Sequence, residues 1–294
     1  MINGIDIYHG DEITQQDFTT MAKENNLYFI FIKATTGGSG KDQKFPVYWD
    51  MSRKAGLVCG AYHFFWPVTE VNVQANNFVT QYKLVSRAGV LPPVVDIEWT
   101  KVTSSQKEYW NDVTPANRII ILKDYLQKIE LMLNVKPIIY TANSFWQEFI
   151  TPYSSTDDNS FFGQYQLWIA DPNNNGNLPQ PWKAVQPLFT QNHLGDNVPK
   201  TAPLYRRLDN DVFNGTLKQF LNTTLPGFTL MKGFPFSMIV KNLQEALKSK
   251  NFLTDAPDGF FGTNSEQAVI AFQNANGLLG NGIIDAQTWN KLLG

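Results

Sequence analysis

Over residues 1–222, short apolar runs of strand character alternate with amphipathic helical stretches, and this alternation constrains the fold more than any other feature of the chain. The strand candidates are 4–8, 28–34, 58–66, 94–98, 136–140, 166–170, 184–189 and 207–213. Helical patterns follow the first five, near 15–24, 70–85 and 115–133 in particular, while the later connections read as short or irregular. Strands joined through helices run parallel, and eight of them suffice to close a barrel whose functional residues gather at the C-terminal ends of the strands. The expected fold class is therefore α/β, a (β/α) barrel of about eight strands, with a smaller unit in the remaining residues.

Within the fourth strand candidate, Val94-Val95-Asp96-Ile97-Glu98-Trp99 puts two carboxylates into an otherwise apolar run. Side chains alternate along a strand, so Val94, Asp96 and Glu98 share one face, and Val95, Ile97 and Trp99 share the other. Two like charges two strand steps apart, roughly 7 Å, push one pKa upward when buried, as an acid catalyst beside an ionised partner requires. The alternative is a pair of strand-end carboxylates capping a loop or meeting Lys or Arg.

Two further acids fall on strands, Asp6 on the first and Asp209 on the last. A barrel brings its first and last strands together, so Asp6 and Asp209 meet near one mouth with Asp96 and Glu98 opposite. Taken singly, Asp6 reads as an Asx-type turn and Asp209 as a surface carboxylate beside Arg206 and Arg207; the joint geometry reverses that judgement. Tyr62, Phe64 and Trp66 alternate on one face of the third strand and Tyr140 ends the fifth, offering flat surfaces suited to sugar rings, although for Phe64 core packing is preferred. Four acids without histidine or cysteine partners suit glycoside hydrolysis.

Composition excludes other classes. A formal net charge of -2 gives no basic footprint for nucleic acid, and no charge run or apolar stretch of about 18 residues implies a membrane partner. The lone Cys59 excludes an internal disulfide framework, and four strand steps, about 13 Å, separate it from His63, too far for a thiolate–imidazole dyad. His9 and His193 show no metal-ligand spacing, so neither a metal nor a cofactor is expected. Met1-Ile2-Asn3-Gly4 leads directly into strand-like sequence, from which synthesis in the cytoplasm without a signal peptide is expected.

Residues 3–216 resemble the family 25 glycoside hydrolases, lysozymes (N-acetylmuramidases) of bacteria and their phages. The resemblance is carried in order by Gly4-Ile5-Asp6-Ile7, Phe31-Ile32-Lys33-Ala34-Thr35, Gly60-Ala61-Tyr62-His63-Phe64, Asp96-Ile97-Glu98, Ile138-Ile139-Tyr140-Thr141, Leu167-Trp168-Ile169-Ala170 and Asp209-Asn210-Asp211-Val212-Phe213-Asn214-Gly215. It implies hydrolysis of the β-1,4 bond between N-acetylmuramic acid and N-acetylglucosamine in peptidoglycan, on a flattened, somewhat irregular barrel. It also implies Glu98 as general acid, and Asp96 either orienting the substrate's N-acetyl group for neighbouring-group attack or acting as the nucleophile, with Asp6 and Asp209 in support. The substrate-binding candidates are Lys33, Tyr62, Trp66, Trp99 and Tyr140. Three places depart from the family's pattern: Thr36 replaces a Glu, Asn210-Asp211 replaces a Leu-Asn pair, and residues 186–206 fit a Trp-Gln-Tyr motif poorly.

After Phe220 the pattern breaks. Asn222 to Gly227 and Gly233-Phe234-Pro235 are turn-forming, giving a catalytic domain at 1–222, a linker at 223–236 and a helical unit at 237–294. In that unit Ile239, Val240, Leu243 and Leu247 repeat at helical spacing, as do Val269 and Phe272 and then Trp289, Leu292 and Leu293; Thr263 to Glu266 fits a capping box. Asp255, Asp258 and Glu266 lack the spacing of a calcium loop. The unit resembles the peptidoglycan-binding type 1 module through Leu243-Gln244, Asp258-Gly259-Phe260-Phe261-Gly262, Ala268 to Gln273 and Thr288-Trp289. From residue 232 onward five lysines balance five acids, so wall binding depends on shape and hydrogen bonds more than on steering. The two function classes that remain are a modular muramidase resembling a phage endolysin, and an inactive barrel that only anchors to the cell wall.

Overall fold

The computed structural model describes residues 1–85, 88–101, 107–195, 198–224 and 228–294. Nine strands form one sheet: β1 (Ile2–Ile7), β2 (Leu27–Thr36), β3 (Gly40–Lys41), β4 (Val58–Phe64), β5 (Val94–Asp96), β6 (Ile138–Ala142), β7 (Leu167–Ala170), β8 (Phe189–His193) and β9 (Asp209–Phe213). Their order is β1-β9-β8-β7-β6-β5-β4-β2-β3, and β1 also pairs with β2, which closes eight strands into a barrel and leaves β3 as a short hairpin arm on β2. Helices follow the first five barrel strands, as the alternation predicts, and Gln15–Glu24 and Pro115–Leu133 begin and end where expected.

Two departures from the expected all-parallel sheet matter. The last strand, β9, runs antiparallel to both β8 and β1. Among the described residues the connection from β8 to β9 holds no α-helix, only the 3-10 turn Leu204–Arg207. The seventh strand lies later than expected, at Phe189–His193 rather than 184–189. Its apolar signal at Val185 to Leu188 belongs to the approach loop, whereas the strand itself carries Gln191 and Asn192.

Alternation along the strands divides the core in two. Ile5, Ile7, Ile30, Ile32, Ala61, Val95, Ile97, Ile139 and Ile169 face outward against the helices. Phe29, Phe31, Trp168, Phe189 and Phe213 fill the barrel, with Phe31 stacked on Trp168 at 4.4 Å. The packing is tight enough that a Cβ on Gly4 would stand 2.3 Å from the Phe29 ring and one on Gly60 2.3 Å from the Phe31 ring, so both strands need glycine there.

Cys59 and His63 also face outward. Burial pushes the Cys59 thiol up to about 12, so it stays protonated. His63 is fully buried, with Thr35 Oγ1 2.7 Å from Nδ1 and Gln74 Oε1 3.2 Å from Nε2; burial holds its pKa down to about 3. A histidine kept neutral by the fold contributes stability that is fully present above its unfolded pKa of about 6.5 and is lost as pH falls toward 3, by up to about 1.4 kcal/mol per unit. Urea denaturation midpoints should therefore drop between pH 6.5 and 4, and His63→Gln should flatten that drop. An equally steep drop in the variant would place its origin elsewhere.

The C-terminal residues form three helices, Met238–Ser249, Thr263–Ala275 and Ala286–Leu293. The periodic residues Ile239, Val240, Leu243, Leu247, Val269, Phe272, Trp289 and Leu292 are all buried. Gln244 and Gln273 are buried hubs: Gln244 bonds to Asp258 Oδ1, Phe260 O, Ser265 Oγ and the Asp258 and Gly259 N–H groups, and Gln273 bonds to Asn281, Ile283 O, Thr288 and Gly282 N–H. The expected capping box does not form. Gly262 caps the second helix without a side-chain bond, and Glu266 instead pairs with Lys232 at 3.1 Å. This unit packs on the barrel: Asn242 Nδ2 donates to Tyr28 Oη at 2.6 Å, and the apolar residues of the two regions form one continuous cluster. Leu225-Pro226-Gly227 of the expected linker lies outside the described residues, while Leu230, within that same span, is fully buried.

Candidate active site

At the C-terminal ends of the barrel strands a cleft is lined by Asp6, Tyr8, Lys33, Tyr62, Phe64, Asp96, Glu98, Tyr140, Trp168, Gln191 and Asp209. Three of the acids arrive on strands and the fourth just past one: Asp6, next to last in β1, pairs in register with Asp209, the first residue of β9, while Asp96 ends β5 with Glu98 just beyond it. The four predicted carboxylates thus share one cleft.

Asp6 and Asp209 are bridged by Gln191, whose Nε2 donates to Asp6 Oδ2 at 2.7 Å and lies 3.4 Å from Asp209 Oδ2. The Gln191 amide is oriented in turn by Tyr140, whose hydroxyl donates to Oε1 at 2.8 Å. Asp209 also accepts the Gly195 N–H at 2.7 Å, so it is not the surface carboxylate its arginine neighbours suggested. Burial, then the Asp209 charge, drives the Asp6 carboxyl well above the usual range.

Asp96 is 5% exposed, and its carboxyl is likewise pushed well up by burial and next by Glu98, with Lys33 pulling it back. Its Oδ1 is buried without a hydrogen-bond partner. Glu98, half-buried, lies toward the opening. A pair of this kind holds one proton to higher pH than two separate carboxylates would. The Lys33 ammonium sits over the Phe64 ring at 4.5 Å and 5.9 Å from that of Tyr62, which places Phe64 in the cleft wall rather than in the core.

A second cavity of about 480 Å³ adjoins the first, sharing Glu98, Tyr140, Gln191 and Asp209 and adding Trp99, Asn143, Asp171, Asn173 and Asn175. Asp171 shapes this end by accepting the Asn175 and Gly176 N–H groups at 3.1 and 2.8 Å. Trp99 lines it edge-on to Phe145, with its indole directed to Glu148.

Of the predicted binding residues, Lys33, Tyr62, Trp99 and Tyr140 line these cavities, whereas Trp66 packs against Tyr109 at 5.0 Å and borders neither. Gln191, Trp168, Tyr8 and Asp211 were missed. Gln191 was hidden because its strand was placed too early. Asp211 was legible, since the alternation that pairs Asp96 with Glu98 also pairs Asp209 with Asp211.

Residues 5–189 match Glycosyl hydrolases family 25, and residues 239–292 match a putative peptidoglycan binding domain. The chain is 30% identical over 225 residues to the uncharacterized protein YegX of Escherichia coli K12, covering 74% of this chain and 71% of that protein. It is 27% identical to the N,O-diacetylmuramidase of Arthroderma benhamiae over 198 residues, 65% of this chain and 74% of that protein. The fold is that of the muramidase from Acremonium alcalophilum, with a TM-score of 0.62 at 24% identity, over 76% of this chain and 98% of that one. The chain belongs to glycosyl hydrolase family 25. It is a glycoside hydrolase of the muramidase, or lysozyme, type, with peptidoglycan as its substrate.

Proposed function

We propose that this enzyme cleaves the β-1,4 bond between N-acetylmuramic acid and N-acetylglucosamine, with Glu98 protonating the leaving oxygen and Asp96 orienting the N-acetyl group so that its carbonyl oxygen attacks the anomeric carbon. The supporting observation is a cleft that joins four carboxyls to an aromatic wall, with Asp96 Oδ1 buried and lacking a donor that a substrate amide N–H would supply. The proposed productive state has the pair's proton on Glu98, at the junction of the two cavities; burial and the Glu98 charge push the Asp96 carboxyl up, and Lys33 is the group that opposes them. Asp6 and Asp209, tied through Gln191, support the site, and Lys33, Tyr62, Trp99 and Tyr140 are the proposed sugar contacts, Trp66 being held outside the cleft. Mass spectrometry of fragments released from purified walls should find N-acetylmuramic acid at the reducing end. Reducing N-acetylglucosamine or freed peptides would overturn the assignment.

Asp96→Asn should lose about 100-fold or more in turnover, because it removes the group stabilising the developing charge. A wall substrate lacking the N-acetyl group should resist the native enzyme to a similar degree. Equal turnover on both substrates would replace neighbouring-group attack by direct attack of Asp96.

In this proposal residues 1–222 are the catalytic domain, 223–236 the connection and 237–294 the wall-binding domain. The pairing of a hydrolase with a wall-binding module supports a role as a phage endolysin, acting when the membrane is opened from within. Expressed inside a susceptible bacterium, the protein should lyse cells only after a membrane-permeabilising agent is added; lysis at the same rate without the agent would count against the role.

A further inference from the structure

A fifth carboxyl, Asp211, lies beneath the cleft and has no role in the scheme above. On β9 it is two residues beyond Asp209, points into the barrel, and pairs in register with Gly4 on β1 and Gln191 on β8. It is 1% exposed. The indole Nε1 of Trp168 donates to its Oδ1 at 2.8 Å, while Oδ2 is buried and receives no N–H or O–H donor. The strand register sets the Asp6 carboxyl beside it: Asp6 faces Asp209 and Gly4 faces Asp211 across the β1–β9 pair, so the two acids share the inward face, and Asp6 is the acid that acts most strongly on Asp211.

Two carboxylates side by side away from water are not both ionised; one retains a proton, which it can donate to the other. Burial and the Asp209 charge raise Asp6 as well, and against them Asp6 accepts Gln191 Nε2 at 2.7 Å, which favours its charged form. A proton donated from Asp211 to Asp6 acts in the same sense, lowering Asp6 and raising Asp211, on which burial is the largest influence. The other titratable groups acting on Asp211 are Asp209 on its own strand and Tyr205 in the turn before it; the groups facing it from β7 and β8, Trp168 and Gln191, do not titrate.

We propose that Asp211 is a positioning residue that works as a neutral acid, its Oδ2–H donating to Asp6 while its Oδ1 accepts from Trp168, so that Asp6 is held ionised and fixed in the cleft floor. This rests on the reading of the acid cluster as the catalytic site. Asp211→Ala, which removes the donor, should lower kcat on soluble glycan about 10- to 100-fold with a smaller change in KM. Asp211→Asn keeps a donor for Asp6 and an acceptor for Trp168, and should recover most of that loss. The difference infrared spectrum at neutral pH between the native protein and Asp211→Asn should show one protonated carboxylic acid band lost. A native spectrum without that band, or Asp211→Asn as inactive as Asp211→Ala, would each overturn the proposal. The infrared result needs no substrate, so it decides the protonation of Asp211 even if the proposed reaction proves wrong.

Discussion

Glu98→Gln should lower the rate of glycan cleavage at least about 100-fold while the protein stays folded. The glycosidic oxygen is a poor leaving group unless it is protonated as the bond breaks, and an amide has no proton of suitable acidity to give. Glu98 lies where the two cavities meet, within reach of a bond threaded between them, and Asp96 beside it is too buried to serve solvent-coupled proton exchange. The substitution keeps shape and hydrogen-bonding capacity, so near-ultraviolet circular dichroism and the thermal midpoint should stay close to those of the native protein. Wall turbidity and released reducing sugar measure the effect. Turnover within a few-fold of native would remove Glu98 from the acid role and leave the proton source to another carboxyl of the cluster.

The barrel was legible in the sequence because alternation and helical spacing are local. Asp6, Asp96, Glu98 and Asp209 could be placed in one cleft before any coordinates, since barrel closure follows from strand count and each acid sits near the end of its strand. What stayed hidden depends on contacts made across the fold. Gln191 bridges Asp6 and Asp209 from a strand whose polar composition gives no strand signal. The antiparallel course of β9 shows only in its pairing with β8 and β1. Trp66 shares a strand face with Tyr62, yet Tyr109, from a turn far along the chain, engages it outside the cleft.

The packing of the C-terminal helices on the barrel was equally invisible, because a Pro/Gly-rich stretch reads as a tether whatever its ends touch. It changes what removing those helices should do. A fragment ending near Thr223, expected from sequence to stand alone, would uncover Tyr28, Phe220 and Leu221, each under 10% exposed in the intact chain and clustered with Met238, Ile239 and Leu243. Phe236 and Phe228 cross Gly56 and Gly89 so closely that a Cβ on either glycine would collide with them, and Lys23 sits over the Phe236 and Phe260 rings at 5.4 and 5.2 Å. Exposing Phe220 and Leu221 alone costs about 3–6 kcal/mol, a large part of the roughly 5–15 kcal/mol that holds a domain together. The fragment should therefore melt about 10 °C or more below the full chain. At temperatures where it remains folded it should still cleave soluble glycan oligomers, since none of the cleft residues lies in the removed part. On intact walls it should lose both binding and lysis, because a docked wall-binding unit keeps the cleft at high local concentration over an insoluble substrate. Matching melting temperatures for fragment and full chain would show that the interface contributes no stability. Equal sedimentation of both with purified walls would show that the C-terminal helices do not hold the enzyme there.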